Sequence, residues 1–162
     1  MFKIAHQIKK TDDNKLILRV PLFLKIIFLL FSILMLISMF YPAAEEGTRE
    51  TNYISILLLL IAVFAVFHEE KWIFDKDKKV IEKRTGLMFY FSRTTSDMKE
   101  LKNIKISEIK KMNQQTSKYH KMSLVFIDDT EKELEIVYFR ELDKLIKNGE
   151  LIASFCGVSL YK

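Results

Sequence analysis

Residues 26–41 read IIFLLFSILMLISMFY and carry no charge. Together with residues 21–25 they make 21 residues with one charge, at Lys25. A helix of that length measures about 30 Å, which is the thickness of the hydrocarbon core of a bilayer. The run is apolar on every face, and the rest of the 162-residue chain is too small to surround it. The sequence therefore predicts a membrane-spanning helix here.

A second apolar run, YISILLLLIAVFAVF, covers residues 53–67. With the two polar residues before it, this run makes a helix of about 25 Å, at the short edge of what crosses a bilayer. The linker between the two runs is short, so we predict an antiparallel transmembrane hairpin at residues 21–70, with spans at about 21–41 and 52–70.

Charge sets the predicted orientation of this hairpin. Six Lys and Arg residues precede the first run, whereas the connecting loop holds one, Arg49. By the positive-inside rule, residues 1–20 form a cytoplasmic N-terminal arm, the loop 42–51 lies outside, and the C-terminus is cytoplasmic. The chain is then a multi-pass protein of the inner, or cytoplasmic, membrane. A cleaved signal peptide is the competing interpretation, but the first run is long for one and no clear cleavage site follows it.

The remaining residues, 71–162, are rich in charge and contain short apolar runs separated by turn residues. Such runs predict strands, here at residues 71–74, 79–84, 87–93, 104–112, 122–127 and 134–139. A bulge is expected near Ile109. From Arg140 onward apolar residues recur every three or four positions, which predicts one helix that runs through Asn148-Gly149 and stops near Gly157. The fold class is α+β, with a helical hairpin followed by an antiparallel β-barrel or sandwich that a C-terminal helix closes.

This arrangement resembles the bacterial pleckstrin-homology-like (PH-like) membrane proteins. The resemblance is carried by W-x-F-D at residues 72–75, Gly86, L-x-x-I at 101–104, the hairpin at 124–138 and the ending at 152–157. The order of elements is also similar to that of the photosystem I assembly factor family. The resemblance implies a cytoplasmic PH-like domain at residues 71–162. One departure is Glu100, where the PH-like family often has proline.

Residues that carry chemistry are scarce. One cysteine, Cys156, excludes a disulfide framework, and its place on the apolar helix face predicts packing. The three histidines, His6, His68 and His120, lie far apart in sequence, and His68-Glu69-Glu70 lacks the second histidine of a zinc motif. Four glycines are too few for a phosphate-binding loop. We therefore predict no catalytic residues, no metal site and no cofactor, and a protein that is not an enzyme.

Charge is unevenly distributed along the second half of the chain. Residues 98–122 have a net charge of +5, and residues 128–143 have a net charge of −5. The lysines of the first segment form a candidate patch for anionic lipid: Lys99, Lys102, Lys105, Lys110, Lys111, Lys118 and Lys121. Solvated strand faces are the alternative. Nucleic acid is disfavoured because arginine is scarce in this segment and no ladder of aromatic residues for base stacking interleaves the lysines.

The leading functional hypothesis is an accessory, scaffold or assembly subunit of a larger membrane complex. The second apolar run is short for a bilayer, and association with another membrane protein is one way to relieve such a mismatch in length. Exposed sheet edges can also pair with a strand of a partner. The predicted partner contacts are Ser55, Ala62, Ala65, Phe89 and Phe91, although packing inside the hairpin or the domain explains each of them as well. The alternative hypothesis is a peripheral module that binds or senses anionic lipid through its lysines.

Overall fold

The computed structural model describes residues 7–12, 14–40, 53–87, 90–109 and 119–162. Five strands form a first sheet in chain order: β1 (Gln7–Asp12), β2 (Lys15–Arg19), β3 (His68–Asp75), β4 (Val80–Leu87) and β5 (Tyr90–Asp97). The second sheet has the order β8-β7-β6-β9 and contains β6 (Leu101–Ile109), β7 (Tyr119–Phe126), β8 (Glu131–Tyr138) and β9 (Ser159–Tyr161). Neighbouring strands are antiparallel except β9, which runs parallel to β6.

The described residues also form three α-helices: α1 (Leu22–Phe40), α2 (Tyr53–Phe67) and α3 (Leu142–Cys156). Short 3-10 turns at Met98–Glu100 and Phe139–Glu141 join the two sheets and lead into α3. The helix α3 is continuous, as predicted, and ends at Gly157, which has a φ of 73° and a backbone N–H that donates to the carbonyl of Ala153. Glycine fits this left-handed position without steric cost.

The core lies between the two sheets and is closed by α3. In the first sheet Leu16 pairs with Phe74 and Leu18 with Trp72, and all four side chains are buried. Alternate residues of a strand point to the same face, so these pairs form one apolar layer. Buried side chains of β6, β7, β8 and α3 complete the same cluster. The predicted sandwich closed by a C-terminal helix is therefore present.

The strand prediction missed β1 and β2 before the helical pair and β9 after α3. Residues 7–19, expected to lie in an N-terminal arm, form β1 and β2, and β2 pairs with β3. The sandwich is thus assembled from both sides of the helical pair, α1 and α2. The ladder is regular at Ile109, and the irregularities lie instead between Leu101 and Asn103 and between Met122 and Ser123.

The predicted transmembrane hairpin is wrong. Within the described ranges, no helix combines the length and the apolarity needed to cross a membrane. The helix α2 ends at Phe67 because His68 begins β3, so that its 15 residues measure about 22 Å. In α1, 15 uncharged residues follow Lys25, and they also measure about 22 Å. Both lengths are shorter than the hydrocarbon core of a bilayer, which is about 30 Å thick. The predicted location as a multi-pass inner-membrane protein with cytoplasmic termini is overturned with it, and the loop 42–51 lies outside the described residues.

Candidate binding surfaces

The helices α1 and α2 pack against each other through faces that carry small side chains. Ser32 is buried on α1, and its hydroxyl donates to the carbonyl of Phe28 at 2.8 Å. On α2, Ala62 is the one buried side chain, and Ser55, seven residues earlier, shares its helix face. Small residues at such a contact let two helix backbones approach closely. The predicted contact residues Ser55 and Ala62 are therefore placed toward α1.

The opposite faces of the two helices display large apolar side chains. On α1 they recur as Ile26, Leu30, Ile33 and Ile37, and on α2 as Tyr53, Leu57 and Leu60. These spacings place each set on one side of its helix. Leu30 is 55% exposed and Leu57 is 57% exposed. A contiguous apolar surface of this kind is rare on a monomer that functions alone and marks an interaction site.

A cavity of about 510 Å³ lies where the helical pair meets the first sheet. Its lining consists of Val20, Leu24, Lys25, Phe28, Ile61, Phe64, Ala65, His68, Glu70 and Leu87. Ala65, the third predicted contact on α2, thus faces this cavity. The lining is mostly apolar, with charged groups at the sheet end.

The charged groups at this end differ in how they are compensated. The Glu70 carboxylate forms an ion pair with the Lys83 ammonium at 3.0 Å, and the Glu69 carboxylate lies 3.5 Å from the Lys71 ammonium. Lys25 is half-buried, and no carboxylate in the described part of the chain pairs with it. The uncompensated charge at the cavity is therefore positive.

The lysine-rich patch is partly neutralised by the acidic segment that follows it. The Lys102 ammonium pairs with Asp129 at 2.8 Å, and Lys105 and Lys121 both reach Glu131, at 2.9 and 3.4 Å. Sheet order explains this, since β7 lies between β6 and β8 and brings the two segments together. Hydrogen bonds from Lys105 and then Lys121 lower the pKa of Glu131. Lys99 is exposed, whereas Lys110, Lys111 and Lys118 lie outside the described residues.

The strand β5 is an edge of the first sheet and is exposed over most of its length. Phe91 is 52% exposed, and the Arg84 guanidinium lies 5.8 Å from the centre of its ring. Arg84 and Arg93 both donate to Glu82, the latter at 2.8 Å, and the bond from Arg84 is the main cause that lowers the pKa of Glu82. This anchored edge presents an aromatic ring beside two cations. Phe89, the other predicted aromatic contact, lies outside the described residues.

Within the described segments, the structure does not bring together a set of side chains suited to catalysis. Burial raises the pKa of the Cys156 thiol to about 12, so the thiolate nucleophile is not formed near neutral pH. No cluster of metal-binding side chains occurs among the residues that the structure describes. Asp128 accepts hydrogen bonds from Thr130 in the β7–β8 turn, which is the structural role expected for it.

Sequence reasoning missed the cavity and its lysine. Lys25 was visible as the one charge in an apolar run, but its neighbours Glu70 and Leu87 come from β3 and β4. Only the return of α2 directly into β3 brings these residues together. No spacing within a single segment signals such a site.

A family model described as "PH domain" matches residues 9–134. The match begins in β1 and ends in β8, so it covers strands of both sheets and spans the helical pair, while α3 and β9 follow it. No curated protein matches the chain. The predicted resemblance to a PH-like domain is confirmed, whereas nothing supports the membrane-protein or photosystem I assembly branch of that prediction.

Proposed function

Because this chain belongs to the PH domain family, we propose that it is an accessory or scaffold subunit that binds another protein through the outer faces of α1 and α2. Members of the family are generally non-catalytic modules that bind proteins or lipids. The sandwich is the structural platform in this proposal, and the helical pair supplies the contact surface.

The observation that carries the proposal is that the apolar side chains of the sandwich are buried in its core, whereas those on the outer faces of α1 and α2 are exposed. The core cluster of the sandwich contains no buried residue from α1 or α2. The outer faces of the helices therefore add nothing to that core, yet they remain open to solvent. Complete burial of a large aliphatic side chain contributes about 1.5–3 kcal/mol, and these side chains are roughly half-buried already. About 1 kcal/mol per side chain is thus available to a partner.

The form of the surface favours an apolar helix of another protein as the partner. Four of the exposed side chains of α1, from Ile26 to Ile37, lie at positions i, i+4, i+7 and i+11, which is the spacing of a helix packing seam. Between Ile26 and the end of α1 no charge interrupts the seam. A second contact through the β5 edge and Phe91 is compatible with the same partner, since an edge strand can pair with an extended segment.

Site-specific photo-crosslinking of the full chain in its own cells tests this proposal. A photo-reactive residue replaces Ile33 or Leu57 on the outer faces, and Lys147 on α3 is the exposed control position. We expect the same discrete protein adduct from Ile33 and Leu57 and none from Lys147. Adducts to lipid alone, or no adduct at either helix position, would contradict the proposal.

A charge substitution provides an independent check. Leu57→Asp should abolish the adduct formed from Ile33, because an aspartate in the seam must be desolvated on binding. The matched variant Leu57→Met keeps an apolar side chain of similar size and should preserve it. Thermal unfolding of the sandwich should be nearly unchanged in both variants. Loss of the adduct with Leu57→Met as well would count against a packing contact at this face.

A further inference from the structure

We propose that the cavity between the helical pair and the first sheet binds a single-chain amphipathic anion, of the class of long-chain carboxylates. The apolar chain lies between α1 and α2, and the anionic head meets Lys25. On α1 this site uses a different face from the proposed protein contact, whereas on α2 Phe64 lies on the same helix face as Leu57 and Leu60.

The walls of the cavity suit an unbranched apolar chain. Its volume of about 510 Å³ falls within the usual range for small-molecule sites, about 300–1,000 Å³. Leu24 and Phe28 line it from α1, and Ile61 and Phe64 line it from α2. These four residues are spaced so that each pair lies on one helix face, which makes a continuous apolar wall along both helices.

The charges at the sheet end select an anion. The Glu70 carboxylate pairs with the Lys83 ammonium and the Glu69 carboxylate with the Lys71 ammonium, so each of these two negative charges has a cation of its own beside it. Lys25 lines this cavity and also a small adjoining cavity of about 50 Å³, whose charged lining comprises Arg19, Glu69 and Glu70 besides Lys25. No carboxylate of the described residues pairs with either cation. A carboxylate head placed here would therefore gain a charge-assisted hydrogen bond from Lys25.

Other occupants satisfy the site less well. A neutral chain would cover Lys25 and leave its ammonium desolvated without a partner, which is unfavourable. A cationic head would meet Lys25 directly. The neighbouring His68 adds a donor at the rim and no negative charge. The chemistry of the cavity therefore points to an anionic head with an apolar chain.

The test uses the full chain in a non-ionic detergent, with palmitate that carries a diazirine at the end of its chain as the probe. We expect crosslinks to peptides of α1 or α2, and unlabelled palmitate should compete at least tenfold better than hexadecanol, which has the same chain without the charge. Equal competition by the acid and the alcohol would overturn the assignment of Lys25 as the anion partner.

Variants separate a specific site from general affinity for apolar surface. Lys25→Gln should reduce labelling at least tenfold, Lys25→Arg should retain it, and the exposed control Lys147→Gln should leave it unchanged. Ala65→Trp should block labelling by filling the cavity. Unchanged labelling in both Lys25→Gln and Ala65→Trp would overturn the proposal.

The source of the anion is distinguished by a further competitor. A two-chain phosphatidylglycerol offers the same combination of apolar chain and anionic head within a bilayer lipid. Weaker competition by phosphatidylglycerol than by palmitate supports a single-chain ligand, and stronger competition would overturn that part of the proposal.

Discussion

Phe74 and Leu57 are both large apolar residues, but Phe74 is 0% exposed and Leu57 is 57% exposed. Phe74 belongs to a sandwich whose two sheets and closing helix surround one core. Leu57 belongs to a helical pair in which each helix buries one face and displays the other. Burial in the first region follows from the fold of the chain itself, whereas complete burial in the second requires another molecule. The same residue chemistry therefore serves stability in the sandwich and, in the proposed function, binding in the helical pair.

The largest effect that would sharpen this contrast is expected from paired truncations. Phe74→Ala removes a fully buried ring and should lower the free energy of unfolding by about 3–5 kcal/mol. Leu57→Ala removes a half-exposed side chain outside the core cluster and should lower it by less than about 1 kcal/mol. Chemical denaturation followed by Trp72 fluorescence measures both. Equal losses would show that the helical pair shares the stability of the sandwich.

A backbone prediction concerns Gly86, near the end of β4, where it pairs with Phe91 of β5. Gly86 has a φ of 155°, and a Cβ added there would lie 2.4 Å from the carbonyl oxygen of Tyr90. Gly86→Ala should therefore destabilise the sandwich by about 1–3 kcal/mol. Gly157→Ala is the comparison, since its φ of 73° carries strain but no atom lies within 4 Å of the added Cβ. A smaller loss from Gly86→Ala than from Gly157→Ala would contradict the close approach of the backbones at Gly86.

The pH dependence of stability tests the charged layer on the first sheet. Glu82 is buried and accepts from Arg84 and Arg93, and its pKa is lowered from the model-compound value of 4.5. A lowered native pKa gives stability that is fully present above about pH 5 and lost as the pH falls through the native pKa. Glu82→Gln should reduce this acid-dependent loss and lower stability at pH 7 by about 1 kcal/mol.

The control for this prediction is Glu108→Gln, which changes an exposed carboxyl on β6. Urea denaturation at pH 7, 5, 4 and 3 gives the profile for each variant. The loss of stability as the pH falls should be smaller in Glu82→Gln than in the unsubstituted chain, and it should be unchanged in Glu108→Gln. The same slope in all three proteins would place the acid-sensitive group elsewhere.

The smallest expected effect concerns the lysine-rich patch, which stays a prediction. Glu131 holds Lys105 and Lys121, so Glu131→Gln frees two cations and should strengthen the salt-sensitive part of binding to phosphatidylglycerol vesicles by a few-fold. Exposed ion pairs contribute less than about 1 kcal/mol, which limits the gain. Lys99→Gln should weaken the same component. Vesicle flotation at 0.05 and 0.5 M salt separates this component from apolar binding, and identical affinities would favour solvated strand faces.

Much of the sandwich could be predicted because its evidence is local. Alternation in residues 71–74 and 122–139, the β7–β8 turn and Gly157 each signal their element within a few residues. The strand β2 was missed although Leu16 and Leu18 alternate, since its partner β3 lies beyond both helices. The apolar runs indicated helices correctly, but the end of α2 at Phe67 is set by the pairing of β3. Ion pairs between residues far apart in sequence also neutralise Lys102, Lys105 and Lys121, and the sequence gives no local sign of these pairs.

The pairing of Arg19 with Lys71 at the base of the helical pair has a consequence for the speed of folding. The 51 residues between these two positions must be closed into a loop before β2 can join β3. Closing a flexible loop of that size costs about 3–4 kcal/mol of chain entropy, beyond a constant. If α1 and α2 associate first, their ends meet and the effective loop shrinks to a few residues at each side. Association of the two helices then brings β2 and β3 together, and substitutions of their buried residues Ser32 and Ala62 should slow refolding more than they speed unfolding.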